Sequence, residues 1–212
     1  MKREKITNRA IFVAKKRYIL NTLNSEGVHY DTPKVSVTGL ESVRSSTPEI
    51  CRDKLKKCFE IIMNTDEQTT QDFIKDFKEL FRTLDPIAIA KTSGVNELKK
   101  YQDKSSIYRK GTPMHVRGSL MYNHFLKEKG LDKKFETIQG GDKVKLLYLK
   151  VPNPIRENAI SVPGLLPKQL GLHDYVDTEL QFDKVFLSPI QSILDAVGWS
   201  AEKVNTLDDF FS

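Results

Sequence analysis

Apolar and polar positions alternate along residues 11–23 and resume through Val35, Val37 and Leu40. A period of two sends successive side chains to opposite faces of a pleated strand, so residues 1–40 are predicted to be strands joined by turns. Ser25-Glu26-Gly27 supplies one hairpin turn. Within this stretch Ala14-Lys15-Lys16-Arg17-Tyr18 lies between Ile11, Phe12 and Val13 on one side and Ile19 and Leu20 on the other. A solvated basic tail would not be set among strand formers. The pattern predicts a β-hairpin or a sheet edge that holds its cations in fixed positions.

From residue 45 the period lengthens. Ser45-Ser46-Thr47-Pro48-Glu49 reads as a helix start, with a hydroxyl cap, proline at the first helical position and an acid in the first turn. Ile50, Leu55, Cys58, Phe59, Ile62 and Met63 form its buried stripe, with Arg52, Lys54, Lys56 and Lys57 facing out. A second helix is predicted from about Asp66 to Leu84, burying Phe73, Ile74, Phe77, Leu80 and Phe81 and stopping at Asp85-Pro86. A basic region without strong periodicity runs to Gly111. A third helix starts at His115 or Ser119 and ends at Lys129, with Gly130 as its stop. Residues 142–151 predict a strand with Val144, Leu146 and Tyr148 on one face, broken by Pro152 and Pro154. A last helix spans 189–197 and ends at Gly198. The fold class is therefore α+β: a small β segment, then a mainly helical domain with a few short strands, then a tail.

At 212 residues, 39% hydrophobic and 29% charged, the chain can build a core as one domain, or as a small element plus one domain. The net charge of +6 is unevenly placed. Seven cations up to Tyr18 oppose the single acid Glu4, which already accounts for the total. A second patch from Lys91 to Arg117 carries Lys91, Lys99, Lys100, Lys104, Arg109, Lys110 and Arg117 against Glu97 and Asp103. The end is acidic, through Asp195, Glu202, Asp208 and Asp209. Basic patches with an acidic tail suit a polyanion on one surface and a different partner at the end. Cys51 and Cys58 are seven apart with no nearby histidine pair, so they read as buried thiols of a reducing compartment. No signal-peptide pattern and no apolar run of membrane-spanning length is present, and the expectation is a soluble, intracellular protein.

Two features carry candidate chemistry. Lysines and an arginine held beside a ring suit a duplex, whose phosphates and base edges both accept hydrogen bonds, although an ordinary strand with solvated lysines would look the same. At the other end, Leu207, Phe210 and Phe211 place three large apolar groups in the last six residues. Such a tail either folds back on its own core or docks in another protein's groove.

In their shared order, several short segments resemble the C-terminal part of a T-even-phage-type family B replicative DNA polymerase. They are Lys15-Lys16-Arg17-Tyr18 with Glu26-Gly27, Pro33-Lys34, Gly39-Leu40-Glu41, Ser45-Ser46-Thr47-Pro48, His115-Val116-Arg117-Gly118 with Tyr122-Asn123, Gly141-Asp142-Lys143-Val144, Pro189 and the acidic-aromatic tail. The resemblance implies that residues 1–40 complete the palm, 41–204 form the thumb that grips primer-template DNA, and 205–212 dock on the sliding clamp. Lys16 and Tyr18 then correspond to a palm pair touching the minor groove. Lys15 and Arg17 would meet phosphates or acidic protein groups. Arg109, Lys110, His115 and Arg117 are assigned to backbone contacts, and Ser46 to a helix start that suits a phosphate. Leu207, Phe210 and Phe211 would be the clamp anchors. A bacterial host's cytoplasm, and no membrane, is the implied setting.

The chemistry itself is expected elsewhere. Two-metal nucleotidyl transfer needs carboxylates that bridge the ions, and the family's Tyr-x-Asp-Thr-Asp lies upstream of the Lys-Lys-Arg-Tyr segment. Tyr175-Val176-Asp177-Thr178-Glu179 imitates it, but it lies downstream and carries glutamate in place of the second aspartate. No cofactor is therefore expected in this chain, and Mg2+ belongs to a partner's catalytic palm. The chain opens on Met1 and its first 13 residues match the family little, so the expectation is a split polymerase. Its larger chain would hold exonuclease, fingers and catalytic palm, with an exposed edge strand over Ile11–Leu20 as the seam. The alternative is a non-enzymatic DNA- and clamp-binding accessory protein, or an inactive remnant.

Overall fold

The alternating start of the chain folds as three antiparallel strands, β1 (Lys5–Ala14), β2 (Arg17–Ser25) and β3 (Val28–Thr38), in the order β1-β2-β3. The computed structural model describes residues 4–40, 42, 44–103 and 105–203. Ile11, Ile19 and Val37 are cross-strand partners, as are Phe12, Tyr18 and Thr38 one position on, so the two sets lie on opposite faces. Glu26 and Gly27 close the second hairpin with φ of 52° and 92°, the positive values that match the twist of paired strands. The first hairpin turns at Lys15-Lys16. The seam expected over Ile11–Leu20 is thereby corrected. Arg17–Leu20 belong to the central strand, paired on both sides, and the sheet's edges are β1 and β3.

Two long helices follow, α1 (Glu49–Asn64) and α2 (Glu67–Arg82). In α1, Cys51, Leu55, Cys58, Phe59, Ile62 and Met63 are buried. Its start differs from expectation: Pro48 is itself the N-cap, with no side-chain hydrogen bond, and no serine or threonine caps the helix. Asp66 starts α2 by accepting from the Thr69 amide at 2.9 Å. Leu80 is a correction too, because it is 41% exposed; the buried stripe of α2 is Thr70, Ile74, Phe77 and Phe81. The sheet is pinned to the end of α1, where Arg9 Nη1 donates to the Met63 carbonyl at 2.9 Å and Asn21 Nδ2 to Asn64 Oδ1 at 3.2 Å.

These elements belong to one compact unit, and residues 83–182 form a second. The second contains α3 (Pro86–Ile89), β4 (Lys91–Gly94), α4 (Leu98–Tyr101), β5 (Gln102–Asp103), β6 (Ile107–Tyr108), α5 (Met114–Glu128), β7 (Lys143–Tyr148), β8 (Ala159–Val162) and α6 (Thr178–Phe182). The stretch expected to lack periodicity thus holds five short elements. A sheet of order β4-β7-β8 carries α5 on one face, and β5-β6 is a separate hairpin. All four residues of β8 are buried. In α5, Gly118 sits where an added Cβ would lie 2.6 Å from the Ser161 amide, so helix and strand approach more closely than any other residue allows. Gly130, at φ 64°, follows the helix as predicted.

The chain then returns to the first unit through a π-helical turn at Asp183–Leu187 and α7 (Ser188–Val197), which packs against β1 and stops at Gly198 in the left-handed region. Phe186 meets Phe77 edge-on at 4.7 Å, and Phe81 flanks the same ring. Beyond Gly198 the Ser200 amide donates to Glu67 at 2.6 Å, Gln71 Nε2 donates to the Ser200 carbonyl, and Lys78 pairs with Glu202 at 3.3 Å. The described chain therefore ends tied to α2. Cys51 and Cys58 are both buried and free.

Candidate nucleic-acid interface

The basic segment of the first unit is built by its turn. Lys15 and Lys16 project from the hairpin tip and are exposed, while Arg17 and Tyr18, half-buried, open β2. Lys16 has φ 61°, a left-handed conformation that a non-glycine residue holds only where neighbours impose it. Tyr18 packs against the Phe12 ring opposite it at 5.8 Å, and Phe12 is 69% exposed. The tip thus carries two solvent-facing ammonium groups beside a pair of aromatic rings. Phe12 was legible only as a strand residue, because its exposure depends on which face the helices cover.

Ser46 is half-buried in the turn ahead of α1. Its hydroxyl does not cap the helix, and Pro48 at the cap has no group with which to fill the first turn.

The second unit places its candidates differently from one another. Arg109 and Lys110 are exposed just past β6. Arg109 is held by its backbone, its amide donating to the Tyr101 carbonyl at 3.0 Å and its carbonyl accepting from the Thr112 hydroxyl at 2.6 Å. Its guanidinium borders a cleft of about 640 Å³ shared with Asp103, His124 and Lys127. His115 lies in the first turn of α5, half-buried, and desolvation holds its imidazole below the usual pKa. Its carbonyl accepts from the Ser119 and Ser161 hydroxyls at 2.7 and 2.8 Å, which ties the helix to β8.

Arg117 turns inward. Its guanidinium faces Glu157 Oε2 at 3.6 Å, donates to Asn158 Oδ1 and stands over the Tyr108 ring at 5.7 Å. Tyr108 donates to Glu157 Oε1 at 2.5 Å, and that bond raises the phenol's pKa. Glu157 therefore offsets much of the Arg117 charge, and the His115-Val116-Arg117-Gly118 motif docks α5 onto the strand it covers. Sequence reasoning missed Glu157, forty residues away. Of the second basic patch, Lys100 pairs with Glu97 at 3.0 Å, and Lys104 lies outside the described residues.

Leu207, Phe210 and Phe211, expected from the sequence to be clamp anchors, also lie outside the described residues. In the Tyr175–Glu179 segment Val176 is buried, and Asp177 accepts from the Leu180 amide at 3.0 Å, which makes it the cap of α6. Among the described residues no group of three or more His, Cys, Asp or Glu could hold a metal ion, and no helix is long and apolar enough to cross a membrane.

No protein-family model matches the chain. It is 33% identical over 205 residues to the DNA-directed DNA polymerase of Escherichia phage RB69 and 31% identical over 202 residues to that of Enterobacteria phage T4. These matches take in 94% and 93% of this chain and 22% of each polymerase. A DNA polymerase of Methanocaldococcus jannaschii is 28% identical over 214 residues, with 96% of the chain and 11% of that protein aligned. The chain spans about a fifth of the length of the phage relatives, and over nearly all of its own length it is homologous to a segment of phage DNA-directed DNA polymerases.

Proposed function

We propose that this chain is the C-terminal part of a phage-type family B DNA polymerase, completing the palm, gripping the primer-template duplex and tethering the enzyme to its sliding clamp. The observation that carries the reading is the tip of the first hairpin. Lys16 holds a left-handed backbone conformation at a turn whose flanking strands carry the Phe12–Tyr18 ring pair, in a segment of a chain whose homologues are DNA polymerases. The minor groove presents acceptors at equivalent places for every correct pair, so a lysine held there checks geometry without reading sequence. Arg109 and Lys110 are the phosphate contacts of the second unit; Arg117, paired with Glu157, sets the helix that carries this motif.

Catalysis belongs to a larger polypeptide with exonuclease, fingers and the metal-binding acids of the palm, where Mg2+ would sit. The outer edge of β1 is the seam: it has no strand opposite it among the described residues, and Ile6 on it is 45% exposed. The test is primer extension by the larger chain with and without this one. Extension only with both supports the reading, and full activity from the larger chain alone rejects it.

Within such an assembly, Lys16→Ala or Tyr18→Ala is expected to slow extension by about tenfold or more, roughly 1.4 kcal/mol of barrier, while duplex affinity falls only a few-fold, because the contact counts for more in the transition state than in the bound duplex. Single-turnover extension beside equilibrium binding separates the two. With about five phosphate contacts, log affinity against log salt should have a slope of roughly −4 to −5. Absence of duplex binding at low salt would favour an interaction domain with incidental charge.

A further inference from the structure

Gly39 follows β3 directly and lies against the back of the Lys15-Lys16 turn. A Cβ built there would stand 2.1 Å from the Lys16 carbonyl oxygen, 3.2 Å from its carbon and 3.3 Å from Arg17 Cγ. The nearest of these atoms are backbone, which cannot swing aside as the end of a flexible side chain can. Gly39 also has φ +68°, where residues with a Cβ are strained. Volume and backbone conformation therefore both call for glycine at this one position.

The neighbour it meets is itself constrained. Lys16 holds φ 61° without being glycine, and such a conformation persists where the surroundings over-determine it. Thr38, immediately before Gly39, pairs with Tyr18, so the β3 end reaches the basic segment from two directions.

We propose that Gly39 is a positioning residue for the Lys15–Tyr18 cations: it admits the Lys16 carbonyl and so sets where the two lysines and Arg17 meet a duplex. This rests on the reading that the turn contacts primer-template DNA. Gly39 touches no nucleic acid and acts through the turn. A methyl group at this site would displace the turn by about 1 Å, and misplacement of that size away from the chemistry can cost up to about a hundredfold.

The test is a double-mutant cycle on the full chain with a short primer-template duplex, read as affinity across a salt series and paired with urea denaturation. Gly39→Ala is expected to weaken binding at least as much as Lys16→Ala does, a few-fold or somewhat more, and to flatten the salt slope by about one for each phosphate-contacting cation withdrawn. In a Lys16→Ala background the same change should do less, because the share of its effect that runs through Lys16 is already gone, whereas loss of fold alone would add in full. Gly39→Asn separates the two requirements: asparagine tolerates the left-handed region but carries a Cβ, so it should reproduce the binding loss while straining the fold less. It also stands in should the alanine variant be isolated unfolded. Wild-type affinity and slope in a folded Gly39→Asn protein would overturn the inference and leave the polymerase reading intact. No binding by the wild type would overturn both.

Discussion

Replacing Gln181 with leucine is expected to destabilise the unit of residues 83–182 by about 3–5 kcal/mol. Gln181 is fully buried in α6. Its Nε2 donates to the carbonyls of Ile89 at 3.0 Å and Leu146 at 3.5 Å, and its Oε1 accepts from the Tyr148 amide at 3.1 Å. One amide thus serves three backbone groups at the end of α3 and along β7. Leucine fills similar space but leaves those groups buried without it, at about 1–3 kcal/mol each, partly offset by its own apolar burial. A domain's whole stability is roughly 5–15 kcal/mol, so this is a large fraction of it. The urea midpoint and hydrogen exchange of the Tyr148 amide check it. Unchanged exchange at Tyr148 would mean that the amide bonds contribute nothing beyond packing.

Deleting residues 207–212 should reduce synthesis on a clamp-loaded template to the distributive level while leaving clamp-free extension unchanged. Burying Leu207, Phe210 and Phe211 is worth about 5–9 kcal/mol, and ordering the segment costs roughly 2–5. On the proposed reading the net would be a weak tether, whose effect comes from effective concentration rather than affinity. The fold should survive the deletion, because the hydrogen bonds of Ser200 with Glu67 and Gln71, and the Lys78–Glu202 pair, fasten the chain to α2 before the deleted residues begin. Product-length distributions with and without clamp read the effect, and unchanged long products would remove the tail from the tethering role.

The long elements were legible because their periods are strong. The stripe of α1 and the alternation of β1 and β2 follow from burying one face of each. Leu80 misled because it adjoins the helical stripe, yet it falls to one side of the line through Ile74, Phe77 and Phe81 and is left exposed while Phe81 is buried. β8 was missed although Pro163-Gly164 closes it: Ala159–Val162 is only four residues, too short for a period to declare itself, and only the close approach of Gly118 shows why it is buried. In the candidate interface the cations themselves were legible and their company was not. Nothing local pairs Arg117 with Glu157, or brings Gly39 to Lys16. Both meetings are made by the topology, and spacing along a chain does not record them.

The two cysteines have a practical consequence. Burial pushes both thiols up to about 12, so at neutral pH neither supplies appreciable thiolate, the form that reacts with electrophiles. Maleimide dyes should pass them by. A single cysteine introduced at the hairpin tip or near the carboxyl terminus would then accept a fluorophore site-selectively in the otherwise native sequence, giving a spectroscopic reporter at the chosen position.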